Sequence, residues 1–327
     1  MSYLAEQMVV AGFEVEIDPA GSAIGRIGSG ELHVLLLGHI DTAEGKIPVR
    51  KEGDIIFGRG AVDAKGPLAA FVAAAALGAL PHLQVTVVGA VNEEGDSVGA
   101  SHLRDHFPVP DALIIGEPSG WDRVTLGYKG CVTYTITAET DTAHPASDKT
   151  NACEIAIAAW DAIVKWTREF NTSRSLVFEQ LNPTLRAMES DSNGLREHAQ
   201  LQVTFRLPED LVVSDLHAKV HQLIGGGIKV EALPGAVSAY RAPKNTTLVR
   251  SALAAIRAEG GTPRFVVKTG TSDMNIVAPA WGCQTIAYGA GDSSLDHTPE
   301  ERISLTEFQH SIVVLRNILE HLNSMNV

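Results

Sequence analysis

The sequence predicts an α/β protein, with a mostly parallel, helix-covered sheet interrupted by an inserted α+β domain. Three near-continuous apolar runs carry the first part: LHVLLLGHID (32–41), LQVTVVGAVNEEG (83–95) and DALIIGEPSG (111–120). Runs without alternation mark strands buried on both faces. Helical segments between them give the strand–helix–strand order of a parallel sheet. The insertion shows as a change of pattern. From Arg123 the chain alternates Val, Thr and Tyr, which suits a sheet with one exposed face, and after Pro234 the buried style returns. The expected boundaries are residues 1–122 and 233–327 for the main domain and 123–232 for the insertion. A length of 327 residues agrees, at about 150 residues per domain.

Each element has a local reason. The chain opens on a helix, Tyr3 to Ala11, then strands GFEVEI and SAIGRIG ahead of the first buried run. DIIFGRGAVDAKG is a short strand and a loop. Gly66 to Leu80 is an Ala-rich helix with Pro67 tolerated in its first turn, where the missing N–H has no helical partner. SVGASHLRDHF is a helix with Ser97 near its start. In the insertion, RVTLGYKGCVTYTITAET is extended and Asn151 to Phe170 is a long helix. AQLQVTFRL, SDLHAKVHQLI and GIKVEAL follow as strand, helix and strand. GCVTYTITA reads as an edge strand that could pair with its twin across a two-fold axis. The last segment adds a helix LVRSALAAIRAEGG, a strand PRFVV, a loop KTGTSDMN before a further helix, and a strand CQTIAYG. The loop GAGDSSLDHTPEE and a final helix, Leu305 to Leu322, complete it.

Composition excludes several function classes. With 45% hydrophobic and 20% charged residues the chain is ordinary globular protein, not disordered. Lys and Arg number 26 against 39 Asp and Glu, a formal charge of −13. Such acidity argues against nucleic acid, whose phosphates need a basic surface. No apolar run reaches the ~20 residues that span a bilayer. The first residues carry no basic segment of a secretory signal. Cys131, Cys153 and Cys283 are odd in number and widely spaced, so they make no disulfide framework and read as small buried hydrophobes. A cytoplasmic location is the expectation.

The acidic residues are not all alike. The three buried strands end in Gly38-His39-Ile40-Asp41, Asn92-Glu93-Glu94 and Gly116-Glu117-Pro118. Asp63 sits in the loop after DIIFG, and His297 in the late loop SLDHTPEE. Open α/β sheets bind ligands beyond the carboxyl ends of their strands. Taken singly, a strand-end His is a structural residue and a Glu-Glu pair a solvated turn. Converging there, these groups would repel one another unless a cation neutralises them. Two histidines with several carboxylates suit zinc, or cobalt or manganese, better than calcium or magnesium.

The stretches GHIDT (38–42), GRGAVDAKG (58–66), NEEGDSVGA (92–100), GEPS (116–119), TAHPAS (142–147), TGTSD (269–273) and LDHTPEE (295–301) resemble one family. It is the dinuclear-zinc family of aminoacylases, deacetylases and carboxypeptidases that includes acetylornithine deacetylase and succinyl-diaminopimelate desuccinylase. The match runs in the family's order over nearly the whole chain. KTGTSDMN, AYGAGDSSLDHTPEE and AIRAEGG look most like the members that hydrolyse lysine from an amino-group carrier protein. The resemblance implies a zinc-peptidase-like catalytic domain with an inserted dimerisation (lid) domain, two Zn²⁺ per subunit with Co²⁺ as an alternative, and a homodimer. It implies that His39 and Glu117 bind one metal, Glu94 and His297 the other, and that Asp63 bridges them. Asp41 would orient His39, and Glu93 would be the general base. His144 would reach the partner subunit's site and stabilise the tetrahedral oxyanion. Relatives usually carry one more helix before the first residue of this chain.

The implied activity is release of lysine or ornithine from an N-acyl amino acid, the acyl group being the C-terminal Glu side chain of a small acidic carrier protein. Two other readings stand beside it: an acetylornithine or acetyl-lysine deacetylase on small substrates, and a non-catalytic metal-binding relative. Thr271 and Ser272 are small donors suited to a substrate carboxylate, or simply turn formers. Desuccinylases carry an Arg where this chain has Asn275, which argues against a diacid. Arg206 and Arg241 could hold a carboxylate bidentately, or be surface arginines. An acidic carrier needs a basic landing site on an acidic enzyme, expected from Arg123, Lys129, Arg241, Lys244 and Lys268. The pairs His102/His106 and His217/His221 have ligand spacing but lie on solvent-facing helices.

Overall fold

A computed structural model describes residues 1–144 and 146–324, so Pro145 of the TAHPAS segment lies outside the described residues. In chain order the elements begin α1 (Ser2–Val10), β1 (Glu14–Ile17), β2 (Ala23–Ile27), β3 (Leu32–His39), β4 (Arg50–Glu52), β5 (Ile55–Phe57), α2 (Lys65–Ala76), β6 (Leu83–Ala90), α3 (Val98–His106) and β7 (Ala112–Ile115). They continue β8 (Arg123–Tyr128), β9 (Gly130–Asp141), α4 (Ala152–Phe170), β10 (Asn182–Ser192), β11 (Arg196–Leu207), α5 (Val213–Ile224), β12 (Ile228–Ala232) and β13 (Tyr240–Arg241). The rest are α6 (Thr247–Ala258), β14 (Arg264–Lys268), α7 (Met274–Trp281), β15 (Gln284–Ala287), β16 (Arg302–Ser304) and α8 (Leu305–Ser324). The described residues divide into two compact units, one within 1–127, 241–267 and from 272 onward, the other within 128–240 and 268–271.

The first unit is built on a sheet in the order β1-β2-β6-β3-β7-β15-β8-β13, with β14 also on β8. Its centre, β6-β3-β7-β15, is parallel, while β1, β2 and β8 pair antiparallel. Along β3, β6 and β7 both faces are buried, as the unbroken apolar runs require. Val34, Leu36, Val85, Val87, Ala112 and Ile114 share one core with Phe71 of α2, Ile256 of α6 and Leu315 of α8. β3 lies between β6 and β7, so the connections leave it on both sides. This is the switch point at which a crevice opens beyond the strand ends. A smaller antiparallel sheet, β16-β5-β4, belongs to the same unit.

The second unit is an antiparallel sheet, β10-β11-β9-β12, with α4 and α5 on one face. Burial alternates along β9 and along β11 from His198 on. Tyr134, Ile136, Leu201, Val203 and Phe205 pack on Ala156, Ile163, Leu216 and Val220. Asn151 and Glu154 form a capping box that starts α4. One expectation is corrected here. β9 is not an edge strand, because β11 and β12 use both of its sides; the edges are β10 and β12. The alternation of GCVTYTITA reflects one buried face, and that pattern is the same in a central strand.

Candidate metal centre

The parallel register sets the site. His39, the last residue of β3, pairs with Ala90 of β6, and Leu37 pairs with Ile115 of β7. Glu93 and Glu94 follow β6 by three and four residues, and Glu117 follows β7 by two, so all four emerge at one end of the sheet. Close approach there needs glycine. A Cβ on Gly116 would lie 2.8 Å from Phe71 Cε2 and 3.3 Å from Gly38 Cα. Three non-glycine residues of the surrounding loops, Asn92, Ser97 and His297, take left-handed backbone with φ of 63°, 50° and 61°. Such conformations persist where neighbours over-determine them, and they cluster at functional loops.

Two donor triads form, and Asp63 belongs to both. His39, Asp63 and Glu117 present ligand atoms within 4.8 Å of one another, as do Asp63, Glu94 and His297. Asp63 Oδ1 lies 3.2 Å from His39 Nε2 and Asp63 Oδ2 lies 3.0 Å from His297 Nε2. His297 Nε2 is also 3.0 Å from Glu94 Oε1. The first triad is buried, whereas the His297 side chain is 56% exposed.

Asp41 organises the surroundings without entering either triad. Its two carboxylate oxygens accept the backbone N–H groups of Glu93 and Glu94 at 3.2 and 3.1 Å. His39 Nδ1 lies 3.2 Å from the Asp41 carbonyl oxygen, which leaves Nε2 facing the acids. Glu93 is absent from both triads, with Oε2 4.0 Å from His39 Nε2.

The electrostatics show what the donors lack. Burial, then Asp63 and Glu93, push the Glu117 carboxyl well above the usual range. Burial does the same to Glu93, with Asp273, Glu94 and Asp63 adding to it and His39 opposing. Burial works against charge on His39, yet Asp41, Asp63, Glu93 and Glu117 hold its pKa well above normal. So many acids crowded round two imidazoles call for positive charge between them. The mixed nitrogen and oxygen donors fit divalent transition-metal ions.

Other expected residues fall elsewhere. His144 is exposed in the second unit, its Nδ1 accepting the Ala146 N–H at 3.1 Å. Arg206 lies on β11 in that unit and donates from Nη1 to Thr271 Oγ1 at 3.3 Å. Ser272 and Asn275 are buried in the first unit and hold the start of α7. Asn275 Oδ1 accepts the Ser272 N–H at 2.9 Å, and Ser272 Oγ accepts the Met274 N–H at 3.2 Å. Arg241, Arg123 and Lys244 are exposed. Lys129 departs from the expected surface patch. It is fully buried, its Nζ donating to Val177 O, Gln180 O and Asn182 Oδ1. Burial and the Arg206 charge lower its pKa to about 8. Neither His102/His106 nor His217/His221 acquires a third acidic, His or Cys donor among the described residues.

Sequence reasoning assigned no role to two buried acids beside the centre. Asp273 is 3% exposed. Glu301 is fully buried, accepting the N–H groups of Val62 and Asp63 on Oε1 and Arg59 Nη1 on Oε2. Its neighbour Glu300 is exposed, and nothing in the spacing of LDHTPEE separates the two.

Known proteins agree with this architecture. The model of peptidase family M20/M25/M40 matches residues 35–321. A LysW-lysine hydrolase of Deinococcus radiodurans is 42% identical over 98% of this chain and 91% of its own length. A LysW-lysine/LysW-ornithine hydrolase of Saccharolobus islandicus is 31% identical over 90% of this chain and 82% of its own. The fold of an M20 family metallo-carboxypeptidase from Sulfolobus solfataricus superposes with a TM-score of 0.80 at 18% identity, covering 99% of this chain and 93% of that one.

Proposed function

The chain belongs to peptidase family M20/M25/M40, and from that premise we propose that it is a dinuclear metal-dependent amide hydrolase that frees lysine or ornithine from an amino-group carrier protein in amino-acid biosynthesis. The observation that carries the hydrolase is the pair of triads sharing Asp63, with Glu93 beside them and in neither. The similarity to LysW-lysine hydrolase over nearly the full length supports the carrier conjugate as substrate. The scissile amide joins the C-terminal Glu side chain of the carrier to the amino acid's α-amine.

His39 and Glu117 would hold one ion, Glu94 and His297 the other, and Asp63 both; zinc is the ion proposed, with cobalt a substitute. When bound, the ions supply Lewis acidity and lower the pKa of a water. Glu93 takes the attacking water's proton and gives it to the departing amine. Asp41 fixes the backbone from which Glu93 projects. His144 donates to the oxyanion, from the second subunit of a homodimer. Its Nδ1 already accepts a hydrogen bond, so the neutral ring carries its proton on Nε2. The edge strands β10 and β12 are the sheet edges open to a second copy. Arg206, Arg241 and Thr271 are the proposed carboxylate donors, with Ser272 and Asn275 shaping the loop beside them. No helix is long and apolar enough to cross a membrane among the described residues, and the proposed location is the cytoplasm.

Turnover of the zinc- or cobalt-loaded protein, measured on lysine and ornithine conjugates of the carrier beside N-acetyl-lysine and N-acetylornithine, tests the reading. Preference for the conjugates is expected. Preference for the acetyl compounds would make it a small-substrate deacetylase, and no turnover of any would make it a non-catalytic relative.

A further inference from the structure

We infer that the Arg59–Glu301 pair is a positioning device that sets the affinity of the second metal subsite, Asp63–Glu94–His297, more strongly than that of the first, with which it shares only Asp63. The inference rests on the dinuclear reading and adds to it a determinant outside both ligand sets.

The two subsites are built differently. In the first, His39 ends a central strand and Glu117 follows another, so the sheet places both. In the second, His297 comes from a long loop, takes left-handed backbone and is more than half exposed. Something other than the sheet must hold it. The loop that carries Asp63 leaves the end of β5, and the loop that carries His297 runs into the start of β16. β5 and β16 are antiparallel, with Phe57 opposite Arg302, so the two loops meet at one end of that small sheet.

Arg59 and Glu301 tie them together in both directions. Glu301, from the His297 loop, accepts the backbone N–H groups of Val62 and Asp63 at 3.0 and 3.1 Å. Arg59, from the Asp63 loop, donates from Nη1 to the carbonyl of Thr298, the residue after His297, at 3.2 Å. The same Nη1 lies 2.9 Å from Glu301 Oε2, which closes the circuit. The Glu301 side chain is fully buried and that of Arg59 is 13% exposed. A buried ion pair contributes little net folding energy, so stability alone does not account for it. Partners that orient ligands typically change metal affinity by about 10–100-fold when removed.

The experiment titrates Zn²⁺, and separately Co²⁺ followed by its d–d absorption, into chelator-stripped wild type, Glu301→Gln and Arg59→Lys. Gln keeps one acceptor but loses the charge. Lys keeps the charge but loses the Nε donor that anchors the guanidinium on the Gly45 carbonyl at 3.3 Å, and with it the rigid placement of the nitrogen that meets Thr298 and Glu301. Wild type should take two ions per chain. Both variants should lose about tenfold or more on the second ion and clearly less on the first, which shares Asp63 but not the His297 loop. Equal loss on both ions, or no loss on either, overturns the inference while leaving the dinuclear reading intact. A wild type that takes fewer than two ions overturns both. Should Glu301→Gln fail to fold, Arg59→Lys decides alone, with thermal melts of the stripped proteins confirming that it is folded.

Discussion

The carboxylate of Asp41 holds the backbone of Glu94, its Oδ2 accepting the Glu94 N–H at 3.1 Å. Oδ1 accepts the N–H of Glu93 in the same way. One side chain from the end of β3 thus fixes the turn that bears both the proposed base and a proposed ligand. Burial works against charge on Asp41, but the His39 ring beside it and the two amides hold its pKa low, so it serves as an anion.

Asp41→Asn tests this relationship. An amide side chain offers one acceptor oxygen, so one of the two N–H groups loses its partner. That should cost about 1–3 kcal/mol of stability and show as a lower Tm. Displacement of Glu93 should lower kcat by roughly 100-fold, with both metal ions still bound. A kcat within a few-fold of wild type would remove Asp41 from the mechanism.

Glu93→Gln separates base from ligand. The variant should fold and take up two ions, because Glu93 stands outside both triads. Loss of a positioned proton acceptor should reduce kcat by roughly 10²–10⁴-fold, with little change in KM. Loss of an ion on metal analysis would show that Glu93 is a ligand and that the proposed base is wrong.

How much of this is legible in the sequence depends on what each residue answers to. His39, Glu93, Glu94 and Glu117 are legible because a both-faces-buried strand announces its own end, and chemistry placed there stands out. Glu301 is not, since its burial comes from packing against Val62 and Asp63, some 240 positions away in the chain. Strand β10 escapes for the opposite reason. NPTLRAMESDS is polar and largely exposed, and an edge strand carries weak alternation. Lys129 reads as a surface cation because a single sequence does not reveal the carbonyls of Val177 and Gln180 that surround its ammonium.

Asp273 should make the stripped protein's stability depend on pH. Burial pushes its carboxyl up to about 7, with Asp41 adding to the shift and His39 opposing it. The unfolded chain gives up this proton near the ordinary value of 3.8, while the folded chain keeps it until about 7. Between those values the folded state binds the extra proton, so stability falls as pH rises through the window. Asp273→Asn removes that contribution. Thermal melts in chelator across the window should show a shallower decline of Tm for the variant. Parallel declines would mean that Asp273 titrates normally.

His144 decides whether two copies share one site. Its Nδ1 is occupied by the Ala146 N–H, which leaves Nε2 for the proposed contact with an oxyanion. His144→Ala should therefore lower kcat by roughly 10²–10³-fold, the cost of one such donor. The direction of the contribution follows from mixing two inactive variants, His144→Ala and Glu93→Gln. If His144 acts on the partner's site, a mixed dimer has one complete site, with Glu93 from one chain and His144 from the other. Random exchange makes half the dimers mixed, each with one working site of two, so activity should rise to about a quarter of wild type for a two-fold assembly. If His144 acts within its own chain, every site in the mixture lacks one group and no activity returns. A mixture that stays inactive while subunit exchange is confirmed by mass would place His144 in its own subunit's chemistry or outside the reaction.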